Sequence, residues 1–94
     1  MPQITSEEII EFVRQQGDLQ LITLVQKSPF VARVAGDGLE YVLPATEMPR
    51  PEGKQVLTRF CEEYNLTNSM HPSDYDFTRN ASYTLAVIHA YLNQ

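Results

Sequence analysis

The run PFVARVAGDGLEYVLP, residues 29–44, decides how this chain folds. Two alternating stretches flank Gly36-Asp37-Gly38, the composition of a β-hairpin. With Asp37 and Gly38 as the loop residues of a type I′ turn, Val34 faces Tyr41 and Ala32 faces Leu43. Phe30 continues that apolar face. Arg33, Ala35, Glu40 and Val42 share the other, partly solvated face. A three-residue loop would set Val34 against Glu40. A slip of one residue turns a whole strand inside out, so the apolar pattern selects the shorter loop. Asp-Gly suits a turn with positive φ at both central residues, which places Gly38 in that conformation.

Upstream, LQLITLVQ (residues 19–26) reads as another strand. It is short, β-branched at Ile22, Thr23 and Val25, and closed by Ser28-Pro29. Leu19, Leu21, Thr23 and Val25 take one side, Ile22 and Leu24 the other. The alternative is a short helix capped by Asp18, which gathers Leu21, Leu24 and Val25. Before it, Thr5 and Glu8 have capping-box spacing, with Ile4 and Ile9 placed as a hydrophobic staple. Ile9, Ile10, Phe12 and Val13 form the apolar face of a helix over residues 6–16, which Gly17 ends.

Downstream the character changes. PATEMPRPEG, residues 44–53, holds three of the six prolines and reads as a stiff extended loop. A helix follows, from residue 52 or 54 to 64, with Val56, Leu57, Phe60, Cys61 and Tyr64 as its buried stripe. Arg59 and Glu63 are spaced to pair on its outer face. Residues 65–80 are rich in local hydrogen-bonding groups; Ser73 with Asp76 is placed to cap a short turn, and Asn80 to cap the last helix. Residues 81–92 are apolar almost all round, so this helix belongs at the centre or in an interface. The expected architecture is α+β: an N-terminal helix, a three-stranded antiparallel sheet, and two C-terminal helices on one sheet face.

Ninety-four residues give one domain, 1–94, with a globular balance of 43% hydrophobic and 20% charged residues. A net charge of −5 disfavours an extended nucleic-acid surface. No leader and no membrane-length apolar run is evident, and the single cysteine suits a reducing compartment, so a cytoplasmic location without membrane contact is expected. In that setting the triplets at Asn65 and Asn80 are chance matches to a glycosylation motif.

Chemistry-bearing candidates each have a plain structural counterpart. Cys61 can be a nucleophile only with a base such as His71 or His89, and it also fits its helix's buried stripe. Cys61, His71, Asp74, Asp76 and His89 show no compact metal-ligand spacing. Asp74 and Asp76 suit capping better than acid–base catalysis. Gly36-Asp37-Gly38 joins two strands and does not open a helix, so it is no phosphate cradle. No cofactor is implied.

What remains is recognition. Met48, Pro49 and Pro51 offer apolar groups on a stiff backbone, and His71, Tyr75, Phe77 and Arg79 are residue types common at interfaces. The leading expectation is a non-catalytic protein-interaction or accessory domain, binding a protein partner or a second copy of itself. A nucleic-acid-binding domain using Lys27, Arg33, Arg50, Lys54 and Arg79 is second, and a small enzyme using His71, Asp74 or Cys61 is third.

Overall fold

The computed structural model describes residues 3–44 and 48–94. Helix α1 (Ser6–Gln16) precedes strands β1 (Leu19–Ile22), β2 (Pro29–Ala35), β3 (Gly38–Val42) and β4 (Arg50–Glu52). Helix α2 (Lys54–Thr67), a 3₁₀ turn (Pro72–Asp74) and helix α3 (Ala81–Leu92) complete the chain. The strands form one antiparallel meander in the order β1-β2-β3-β4. The α+β architecture is the expected one, with four strands in place of three.

The fourth strand comes from the proline stretch. Pro49 and Pro51 hold the chain extended, and among the described residues β3 is its one ladder partner. A sheet edge tolerates proline because one side of the strand needs no hydrogen bonds. Of the expected loop, residues 45–47 lie outside the described residues. Period-2 alternation sends Arg50 and Glu52, opposite Tyr41 and Leu39, to the helix-covered face, while Pro51 points outward with Glu40.

The hairpin has its expected two-residue loop, one residue earlier than its composition suggests. Ala35 pairs with Gly38, so Gly36 and Asp37 form the turn. Val34 therefore faces Leu39, and Ala32 faces Tyr41. Positive φ falls on Gly36 (60°), whereas Gly38 and Asp37 lie outside that region, the pattern of a II′ turn. The shift moves each partner by two positions and so preserves the faces. Phe30, Ala32, Leu39 and Tyr41 are buried beneath the helices, while Arg33, Ala35, Glu40 and Val42 stay partly exposed. Arg33 and Glu40, now directly opposite, form an ion pair.

Gly38 is glycine for a different reason. The corner from β4 into α2 crosses it so closely that a Cβ would sit 2.5 Å from the Glu52 carbonyl oxygen and 3.1 Å from the Lys54 nitrogen. This packing selects the observed register.

The first strand is shorter than its apolar run. After Ile22 the chain turns through residues 23–28, where Thr23 accepts from the Ser28 N–H through Oγ1 (3.0 Å) and its own N–H donates to the Ser28 carbonyl (2.9 Å). Lys27 takes positive φ to close the turn. Ile22 and Val25 remain exposed.

The helices follow their local signals. Thr5 Oγ1 accepts from the Glu8 N–H at 3.2 Å and donates to the Glu8 carboxylate at 3.1 Å, completing the capping box, and Gly17 ends α1. Asn65 clamps α2 to the N-terminal segment through both backbone groups of Ile4, each at 2.9 Å. Helix α2 runs three residues beyond expectation and ends at Asn68, in the left-handed region. Arg59 lies over the Phe77 ring, 4.2 Å from its centroid, in place of pairing with Glu63. Ser73 sits inside the 3₁₀ turn and does not cap it. Helix α3 has the bounds its composition suggests and is the central element, burying Leu85, Ala86, Val87 and Ile88.

Candidate functional site

Two stretches singled out in sequence, 48–51 and 71–79, meet only in part. Met48, Pro49, Pro51 and Arg79 line one cleft of about 500 Å³ together with Arg50 and Asn80. His71 is exposed beside the 3₁₀ turn, away from that lining. Tyr75 is fully buried, stacked on Phe60 with centroids 4.0 Å apart, and its hydroxyl donates to the Ser69 carbonyl at 2.7 Å. Phe77, half-buried, packs edge-on against Phe60 and Tyr75. Tyr75 and Phe77 therefore anchor the 68–80 segment to the core.

The wall between this cleft and the core is polar. Glu52 is 2% exposed, yet no cation lies within ion-pair distance among the described residues. Its carboxylate accepts from Thr84 Oγ1 (2.9 Å), Thr78 Oγ1 (3.2 Å) and Asn80 Nδ2 (3.4 Å). Thr84 has one hydroxyl proton, which goes to Glu52, so Tyr41 must donate to Thr84 Oγ1 across their 2.8 Å contact. Asn80 stands at the N-cap position of α3, but its amide reaches the Pro51 carbonyl (3.0 Å) and leaves the helix end without a side-chain cap. The network joins β3, β4 and α3 and holds the cleft's floor.

A second concavity has no sequence signal. A groove of about 600 Å³ runs along β1 and the C-terminal half of α3. Leu21, Ile22, Leu24, Phe30, Ala86 and Ala90 make it apolar, and Lys27 and His89 are its charged or titratable groups. Among the described residues no carboxylate lines it, although the chain carries a net charge of −5. Its residues are distant in sequence, and apolar residues at helical and strand spacing read as core.

No protein-family model, curated protein or solved structure matches this chain.

The basic residues proposed for nucleic acid are dispersed. Arg33 pairs with Glu40 on the outer sheet face and Lys54 with Glu7 at 3.7 Å, while Lys27 lines the apolar groove. Only Arg50 and Arg79 share a cleft.

Cys61 is 2% exposed in the α2 stripe. Burial pushes its thiol up to about 12, and the carboxylates of Glu7, Glu8 and Glu62 add to the shift. A reactive cysteine needs the opposite environment. Alkylation of the native chain at neutral pH should be at least about a hundredfold slower than that of the unfolded chain, because the thiolate is scarce and shielded. A native rate equal to that of a free thiol would restore the nucleophile reading. Among the described residues no three His, Cys, Asp or Glu side chains come together as a metal site, and no helix is long and apolar enough to cross a membrane.

Proposed function

We propose that the chain is a non-catalytic, cytoplasmic protein-interaction domain that accepts an extended acidic–apolar segment of a partner along the free edge of β1. The observation that carries this reading is the juxtaposition of the β1 edge, which has no ladder partner among the described residues, with an apolar groove lined by no described carboxylate. The Thr23 N–H to Ser28 bond sets the phase of the ladder. Alternation then directs Leu19 and Leu21 to β2 and turns the N–H and C=O groups of Gln20 and Ile22 outward. A strand added there gains main-chain hydrogen bonds and places every second side chain toward the groove. Lys27 and His89 favour acidic residues in that segment. The single unbridged thiol supports a reducing compartment.

The test uses a peptide of alternating leucine and glutamate, a lysine-for-glutamate control, and NMR of the isotopically labelled chain. Saturable shifts are expected at Gln20, Ile22 and Ala90, with the acidic peptide binding more tightly than the lysine control. Gln20→Pro should melt like the parent, since that N–H lies outside the ladder, yet lose about tenfold or more in affinity. Binding should persist at moderate salt, whereas phosphate tracking would weaken steeply. No saturable binding, or binding indifferent to Gln20→Pro, overturns the proposal. Concentration-dependent dimerisation abolished by Gln20→Pro would replace the partner with a second copy.

A further inference from the structure

We propose a second site, independent of the β1 edge: the cleft between β4 and the start of α3 binds the dianion of a phosphate monoester through Arg50 and Arg79. The charge distribution points to it. Arg14, Arg33 and Lys54 each have a carboxylate within ion-pair distance, at Glu11, Glu40 and Glu7. Arg50 and Arg79, like Lys27 and Arg59, have none among the described residues, but these two alone of the four line one cleft together. Two cationic side chains that line one cleft leave it with a positive charge that a dianion would offset. Among the described residues no carboxylate lines this cleft directly; that of Glu52 lies behind Asn80, 3.4 Å from its amide, and is occupied by the Thr84, Thr78 and Asn80 donors.

The cleft is held in shape from behind. Alternation in β4 sends Arg50 to the helix-covered face, where its guanidinium lies 5.7 Å from the centroid of the Tyr83 ring. That contact favours a cation and limits the side chain's freedom. Asn80, 8% exposed, lines the cleft and fastens its two walls by donating to the Pro51 carbonyl at 3.0 Å. Arg79 enters from the turn before α3, on the residue next to that fastening.

The ligand class follows from the donors. Guanidinium forks match phosphate oxygens in pairs, and two forks satisfy a doubly charged group better than a singly charged one. A volume of about 500 Å³ leaves room for a small organic substituent, for which Met48, Pro49 and Pro51 supply an apolar wall. A carboxylate or a phosphodiester presents one negative charge and should bind more weakly.

The experiment titrates the labelled full chain with phenyl phosphate, inorganic phosphate, dimethyl phosphate and benzoate, following backbone amides by NMR. Phenyl phosphate should give saturable shifts centred on Arg79 to Ser82. Benzoate and dimethyl phosphate should bind at least about tenfold more weakly, because each carries one charge. Tighter binding of phenyl phosphate than of inorganic phosphate supports an ester whose organic part meets the proline wall; equal or tighter binding of inorganic phosphate overturns the ester assignment. Arg79→Gln should lose about tenfold or more in affinity, Arg50→Gln likewise, and Arg14→Gln nothing measurable. Arg79 is exposed, so its variant tests the site without disturbing the core. Absence of saturation below about 10 mM phenyl phosphate, a binding free energy under about 3 kcal/mol, overturns the proposal. Equal affinity for dimethyl phosphate or benzoate, or indifference to Arg79→Gln, also overturns it.

Discussion

Gly38→Val is expected to cost about 3 kcal/mol or more, beyond ordinary overpacking because the obstacle is backbone. The new Cβ would stand 2.5 Å from the Glu52 carbonyl oxygen, and relief would require opening the corner between β4 and α2. That corner carries Glu52 and begins α2, so the displacement spreads into the core. For a domain of this size the midpoint of thermal unfolding should fall by more than about 10 °C. Gly36→Ala is the comparison. Its Cβ would meet nothing within 4 Å, and the penalty is only that of a positive φ of 60°, about 1 kcal/mol. Calorimetry of the two variants decides the register: a turn centred on Asp37 and Gly38 would reverse their order.

Glu52→Ala should be comparably severe. It removes the acceptor for Thr84, Thr78 and Asn80 in a site with almost no solvent access, and leaves a void. Hydrogen bonds to a charged group contribute about 1.5–3 kcal/mol each, and an orphaned buried donor costs a similar amount, so a loss of about 3 kcal/mol or more is expected. That is a large share of the roughly 5–14 kcal/mol available to a chain of this length. Glu52→Gln keeps one acceptor oxygen and should lose less. Thr84→Val breaks the relay at its middle and strands the Tyr41 hydroxyl; denaturant titration of the double variant should show a loss smaller than the sum. Strict additivity would mean that the relay does not act as a unit.

These two sites also mark where the sequence stops being legible. Helix α1 is written in four residues, Thr5 and Glu8 for the box and Ile4 and Ile9 for the staple, and each signal acts within one turn of chain. Helix α3 is equally plain as a helix, since an apolar run of that length must be covered, at the centre or in an interface, and the structure places it at the centre. The hairpin's faces follow from alternation, but two glycines around Asp37 permit two turns with the same faces. The choice falls to a corner fourteen or more residues downstream. Strand β4 is hidden because two of its neighbouring positions are prolines, which forbid most ladders and are harmless only at an edge. Glu52 looks like the start of a helix until its partner Leu39 fixes which way it points. The cleft was half visible: Met48, Pro49, Pro51 and Arg79 carry the right chemistry, but only folding shows that Arg50 joins them and that Tyr75 does not. The β1 groove gave no local sign, because its apolar residues resemble those of the core.

The meander carries a consequence for the order of assembly. Each strand pairs with its neighbour in sequence, so the sheet closes only short loops, whose entropic cost is small. Helix α1 is different: Ile4 is held by Asn65, 61 positions away, and Glu8 accepts from Tyr91, 83 positions away. Neither contact exists until α2 and α3 have taken their places. Loss of those two fastenings would loosen α1 from α2 and α3 and leave β2 as its remaining strand neighbour. Ile9 and Val13, wholly buried in the closed state, are the surface that such an opening would uncover.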